Sequence, residues 1–161
     1  SVLNALTNNK KLAKTSKTPG RTQSINVFEI DKNKQFKIID LPGYGYAKVS
    51  KSIRADWGVS IDNYLNKRKC LKALVIIMDI RHPLKEDDLT LINWCEANNL
   101  PLIVLLNKSD KLSKNKASRE QLLAINELEG LSTKYFVLIT SAKTKEGVNE
   151  LIETMMGLLG E

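Results

Sequence analysis

At 161 residues, 42% of them hydrophobic and 27% charged, the chain has the size of one domain and enough apolar content to bury a core. No apolar run reaches the roughly 18 residues of a membrane-spanning helix, and no charged, apolar and small-residue leader opens the sequence. Basic residues outnumber acidic ones, 25 to 18, a mild lean of +7 towards a polyanionic partner.

The first element is a short apolar stripe, Val2, Leu3, Ala5 and Leu6, expected to be helical. Residues 8–24 are polar and basic, and Pro19-Gly20 marks a turn within them. Residues 24–30 and 35–39 read as two strands joined at Asp31-Lys32-Asn33-Lys34, so they should pair antiparallel. The second strand runs into Asp40-Leu41-Pro42-Gly43, which puts a carboxylate at its carboxyl edge, where open α/β sheets bind ligands. An aspartate there can hold Mg2+ directly or through water, and the N–H of Gly43 can meet a phosphate oxygen.

A helix is expected over residues 50–66, from Ile53, Trp57, Ile61, Tyr64 and Leu65, with Ser50 or Ser52 as its cap. From there strands at 74–78, 102–106 and 135–139 alternate with helices at 86–98, 118–128 and 148–159. Continuous apolar strands between helices indicate an α/β fold, a mostly parallel sheet with helices on both faces, forming one domain over 1–161. Cys70 and Cys95 match no metal or redox spacing and should stay reduced thiols. Basic residues cluster at Lys10, Lys11, Lys14, Lys17 and Arg21, at Lys67, Arg68, Lys69 and Lys72, and at Lys108, Lys111, Lys114 and Lys116. One such cluster is an ordinary solvated face; three favour contact with RNA.

Asn107-Lys108-Ser109-Asp110 lies just past a strand of five apolar residues. An aspartate there can accept hydrogen bonds from the N1–H and exocyclic amine of guanine. Adenine lacks that donor pair and would leave the carboxylate unsatisfied. The Asn107 amide can tie neighbouring loops together, and the Lys108 stem can lie over a base. Thr140-Ser141-Ala142-Lys143 follows the next strand in the same way, and its backbone N–H groups can meet the guanine O6. His82 reads as a loop-structuring residue, Trp57 and Trp94 as core, and Asp79 with Arg81 as a structural ion pair. Asp87 and Asp88 suit the first turn of a helix. Tyr44 and Tyr46 fit partner contact and helix packing about equally.

The order of loop threonine, D-L-P-G, N-K-S-D and S-A-K resembles a translation-factor-class, Ras-like P-loop GTPase. Lys17-Thr18-Pro19-Gly20-Arg21-Thr22-Gln23, the stretch from Asp40 through Tyr44 and Tyr46 to Ala47, and Asp79-Ile80-Arg81-His82-Pro83-Leu84 narrow the resemblance to the EngB (YihA/YsxC) family, over essentially the whole chain. That resemblance implies GTP and GDP as ligands, Mg2+ as cofactor, and a cytoplasmic, monomeric protein. It implies a role in assembly of the large ribosomal subunit through rRNA and ribosomal proteins, with a linked effect on cell division and septation. It makes Thr22 a ligand of Mg2+ and the γ-phosphate, within a loop of Gly20, Arg21, Thr22, Gln23 and Ser24. Asp40 becomes the water-mediated Mg2+ partner, and Leu41, Pro42 and Gly43 the γ-phosphate loop. Asn107, Lys108, Ser109 and Asp110 then read guanine, supported by Thr140, Ser141 and Ala142. Gain and loss of the γ-phosphate would order and release the two phosphate-sensing loops.

Two features depart from that pattern. G-x-x-x-x-G-K-[ST] does not occur in the sequence. The chain is therefore expected to begin just after the phosphate-binding lysine and the first Mg2+-binding hydroxyl, without the first strand and phosphate loop, and to be inactive as it stands. Tyr44 occupies the place of the glutamine that orients water in Ras-like proteins, so hydrolysis should be slow and no catalytic base is named. The competing reading is a non-hydrolysing RNA or ribosome-binding module that uses the same surface; N-K-S-D argues against an ATP-using enzyme.

Overall fold

A computed structural model of the chain describes residues 2–7, 26–29, 37–40, 63, 67 and 70–160. The chain divides into two compact units, Lys11–Leu71 and the combination of Ser1–Lys10 with Lys72–Glu161.

In the first unit, β1 (Asn26–Glu29) and β2 (Lys37–Asp40) pair antiparallel, with Phe28 opposite Ile38 and Val27 opposite Ile39. The antiparallel pairing is as expected, and Asp40 closes β2 opposite Asn26. The helix expected over 50–66 lies outside the described residues except for Asn63, which is helical.

The second unit contains α1 (Val2–Thr7), β3 (Leu74–Asp79), α2 (Glu86–Ala97), β4 (Leu102–Asn107), a 3-10 turn (Ser109–Lys111), α3 (Lys114–Leu128), β5 (Tyr135–Ile139) and α4 (Val148–Leu159). The three strands form a parallel sheet in the order β3-β4-β5. The crossover helices pack on the sheet, α2 against β3 and α3 against β5. On one face, Val2 of α1 and Leu151 and Leu158 of α4 pack with Ile103 and Leu105 of β4 and Leu138 of β5. Leu102 to Leu106 are fully buried, each worth about 1.5–3 kcal/mol by apolar burial.

Residues 74–78, expected to be buried throughout, alternate instead. Leu74, Ile76 and Met78 are buried, while Val75 is 36% and Ile77 47% exposed. Among the described residues β3 is an edge strand, and α1 and α4 cover β4 and β5, which leaves that stripe outside. Two helices also differ from the sequence pattern. In α2, Ile92 and Cys95 are buried and Leu89 is exposed, and Asp88 accepts from the Lys85 N–H at 3.0 Å across the first turn. Helix α3 starts at Lys114, four residues before the apolar periodicity begins, because the Ser113 hydroxyl caps it by accepting from the Lys116 N–H at 3.3 Å.

Gly147 initiates α4 at φ 73°, and a Cβ there would lie 2.0 Å from the carbonyl oxygen of Ile139. Gly157, inside α4, has nothing within 4 Å of its Cβ position. Urea unfolding should therefore separate the two: Gly147→Ala should destabilise by more than about 2 kcal/mol. Gly157→Ala should stabilise by ~0.5–1 kcal/mol, through the helix preference of alanine.

Candidate functional site

The carboxyl edge of the parallel sheet collects Asp79, Asn107, Lys108, Asp110, Thr140 and Ser141, all singled out in the sequence. In-register pairing of β3 with β4 sets Asp79 beside Asn107. The pairing of β4 with β5 continues one residue further, through the Thr140 N–H donated to the Leu106 carbonyl at 2.9 Å. Sequence-distant residues thus meet because their strands end together.

Beyond Asn107 the backbone reverses through Lys108, which sits in the left-handed region at φ 66°. For a residue with a side chain that conformation costs about 1–2 kcal/mol. The reversal buries Ser109 and leaves Lys108 and Asp110 exposed. Ser109 is anchored twice: its N–H donates to the Thr140 carbonyl at 3.1 Å and its hydroxyl to Glu146 Oε2 at 2.5 Å.

After β5 the second loop locks onto the first. Ser141, fully buried, donates its hydroxyl to Asp110 Oδ1 at 2.6 Å and accepts from the Thr144 N–H at 3.2 Å. The Ala142 N–H donates to Asn107 Oδ1 at 3.1 Å, so Asn107 does tie neighbouring loops together. The Ser141 hydroxyl holds the Asp110 carboxyl below its ordinary range; partial desolvation opposes this, while the residue's own backbone N–H and the charges of Lys111 and Lys143 assist. A carboxylate has about four acceptor positions, so an exposed one that receives a single side-chain donor keeps capacity for more.

Asp79 is gripped differently. Its Oδ1 accepts from the backbone N–H of Arg81 at 2.9 Å and from Arg81 Nε at 3.0 Å, and its Oδ2 from Arg81 Nη2 at 2.8 Å. Lys108 Nζ reaches the same Oδ2 at 3.3 Å. The Arg81 bonds, with a smaller contribution from Lys108, hold this carboxyl well below the usual carboxylate range against the opposing effect of burial. The ion pair expected between Asp79 and Arg81 is present, with Lys108 as a third member.

Asn107, Lys108, Ser109, Asp110, Thr140, Ser141 and Ala142 are thus brought together. Gly20, Arg21, Thr22, Gln23, Ser24, Leu41, Pro42, Gly43 and Tyr44 lie outside the described residues; Asp40 is described only as the backbone end of β2. The expected metal ligands Thr22 and Asp40 are among these, and the described residues contain no group of three metal-ligating side chains. No described helix is long and apolar enough to cross a membrane. The loop N–H groups expected to face a guanine O6 are already engaged: those of Thr140, Ser141 and Ala142 donate to Leu106, Glu146 and Asn107. Sequence reasoning missed Glu146 and the reach of Lys108 to Asp79. Only the equal spacing of Asp79 and Asn107 from the starts of their strands signalled the latter.

Residues 1–108 match the family described as 50S ribosome-binding GTPase, and residues 61–161 match the elongation factor Tu GTP binding domain. A relative named "Probable GTP-binding protein EngB" from Haemophilus influenzae (strain PittEE) is 47% identical over 149 residues, which are 92% of this chain and 72% of the relative. A crystal structure of an EngB protein superposes with a TM-score of 0.76 at 20% identity, covering 98% of this chain and 90% of that one. Elongation factor SelB of Methanococcus maripaludis, solved with the GTP analogue GppNHp, gives 0.65 at 19% identity over 86% of this chain and 28% of its own. The two structures share the P-loop GTPase fold with this chain, and by the extent of its identity to the curated relative the chain belongs to the EngB family of GTP-binding proteins.

Proposed function

We propose that this protein is a GTP-binding switch in which Asp110 reads the guanine base. The observation that carries this reading is the exposed Asp110 carboxylate, ionised and aimed by Ser141, beside the loop that Asn107 ties to Ala142. Guanine would donate its N1–H and exocyclic amine to that carboxylate, and the Lys108 stem would lie along the face of the base. The guanine O6 would take over the Ala142 N–H from Asn107. Adenine presents an acceptor at N1 and would leave Asp110 facing a lone pair.

The oxygen donors Thr22 and Asp40 suit Mg2+, a hard ion that is commonly held by a few protein oxygens together with waters and phosphates. Bound there, the ion would neutralise charge on the β- and γ-phosphates. Residues 20–24 and Leu41, Pro42 and Gly43 are the candidates to respond to the γ-phosphate. With Tyr44 in place of a water-orienting glutamine, turnover is slow. The matched family of 50S ribosome-binding GTPases and the net charge of +7 support action on the large ribosomal subunit during its assembly. The linked role in cell division and septation and the cytoplasmic, monomeric state follow from the family resemblance.

NMR titration of the chain to millimolar nucleotide should show GDP binding at least about tenfold tighter than ADP, since a charge-assisted hydrogen bond is worth ~1.5–3 kcal/mol. Equal binding overturns the reading. In Asp110→Asn, the amide can donate to the carbonyl that xanthine carries in place of the guanine amine, so preference should pass from GDP to XDP. The charge on Asp110 is separately testable. Its carboxyl is depressed in the folded state, so its stabilisation is present above the ordinary value of about 3.9 and is lost as pH falls through the folded midpoint. Ser141→Ala should raise that midpoint towards about 3.9 in a carboxyl 13C titration; an unmoved midpoint would remove Ser141 as the cause.

A further inference from the structure

The Asp79, Arg81 and Lys108 cluster contains more than its place at the sheet edge requires. An ion pair with an exposed lysine contributes little stability, and the Lys108 side chain is 54% exposed. Yet Lys108 occupies a left-handed backbone position, which glycine or asparagine fills without strain. A lysine kept there, with its ammonium drawn to one oxygen, is explained by what its stem must do.

The geometry of Asp79 supplies the constraint. Arg81 reaches both carboxylate oxygens through its side chain and adds its own backbone N–H, so the carboxylate cannot swing to follow a moving lysine. The register of β3 on β4 fixes that carboxylate one residue away from Lys108. Nζ can then meet Oδ2 at 3.3 Å only when the stem takes a narrow set of rotamers. The freedom a lysine stem ordinarily loses on covering a ligand is thereby removed before the ligand arrives.

From this we propose that Asp79, braced by Arg81, is the positioning residue that holds the Lys108 stem ready to cover the nucleotide base. The inference rests on the guanine-binding reading above and assigns the part of the site that is blind to base identity. Asp110 distinguishes guanine by its donors. A stem lying on the ring face stabilises any purine that Asp110 admits, including hypoxanthine, which lacks the exocyclic amine.

The test is a double-mutant cycle on the chain, read as dissociation constants for GDP and IDP. Asp79→Asn should weaken both nucleotides by the same factor, about fivefold to tenfold. Lys108→Met, which keeps an apolar stem without the ammonium, should do the same, and the double variant should bind no worse than Lys108→Met. Wild-type affinity in Asp79→Asn, or a double variant whose loss is the product of the two single losses, overturns the proposal. So does a loss confined to GDP, because that would place the effect on Asp110. Should Asp79→Asn fail to fold by circular dichroism, Arg81→Ala takes its place: it frees the carboxylate to move, and its loss of affinity must vanish in the Lys108→Met background. Absence of GDP binding by the unsubstituted chain overturns the proposed function itself, and this inference with it.

Discussion

Strand β4 has no solvent-facing side, and the position of the candidate site follows from that. Leu102 to Leu106 are buried on both faces, packed on one by α1 and α4 residues. A strand apolar at every position carries no alternation to specify its register. Its ends specify it instead. A one-residue slip would draw Asn107 into the core without its Ala142 partner, or push Leu106 out beyond the sheet. The hydrophobic layer thus sets the height at which β4 ends, and with it the height of the loop that follows.

At that height the structure holds two carboxylates with different prospects. Asp79 is only 18% exposed and receives four donors from Arg81 and Lys108, which leaves little acceptor capacity for anything outside the chain. Asp110 is exposed and takes one side-chain donor, the Ser141 hydroxyl. Both are held ionised, yet one is saturated from within and the other is aimed outward. Charge alone would treat them alike; the count of donors separates a residue that organises the edge from one that can read a ligand.

Much of this was legible in the sequence, for local reasons. The apolar runs at 102–106 and 135–139 and the periodicity at 148–159 correspond closely to β4, β5 and α4. N-K-S-D and S-A-K could be placed at strand ends because each strand is short, apolar and sharply bounded. The first turn of α3 escaped because Lys114, Asn115 and Lys116 bring no apolar residue, and only the Ser113 cap marks the start. Val75 and Ile77 escaped because an apolar run does not disclose how far the helices on each face of a sheet extend over its strand. The pairings of Ser109 with Glu146, 37 residues apart, and of Lys108 with Asp79 depend on register between separate elements, and no window along one chain contains that information.

Glu146 shows how the core and the loops are mechanically joined. The residue after it, Gly147, turns in the left-handed region directly beneath the Ile139 carbonyl, where no side chain fits. This turn brings α4 in at a fixed angle, and α4 is then held by Leu151 and Leu158 against β4 and β5. Glu146 accepts the Ser141 N–H on its carbonyl and receives the Ser109 hydroxyl on its carboxylate. One residue therefore touches both loops while its neighbour lies close against the end of the last strand. Because α4 packs as a unit, a shift of that helix on the sheet would reach Ser109 and Ser141 together, and through Ser141 the carboxylate of Asp110. The geometry of the loop that carries Asp110 is in this sense a property of helix packing as much as of the loop residues themselves.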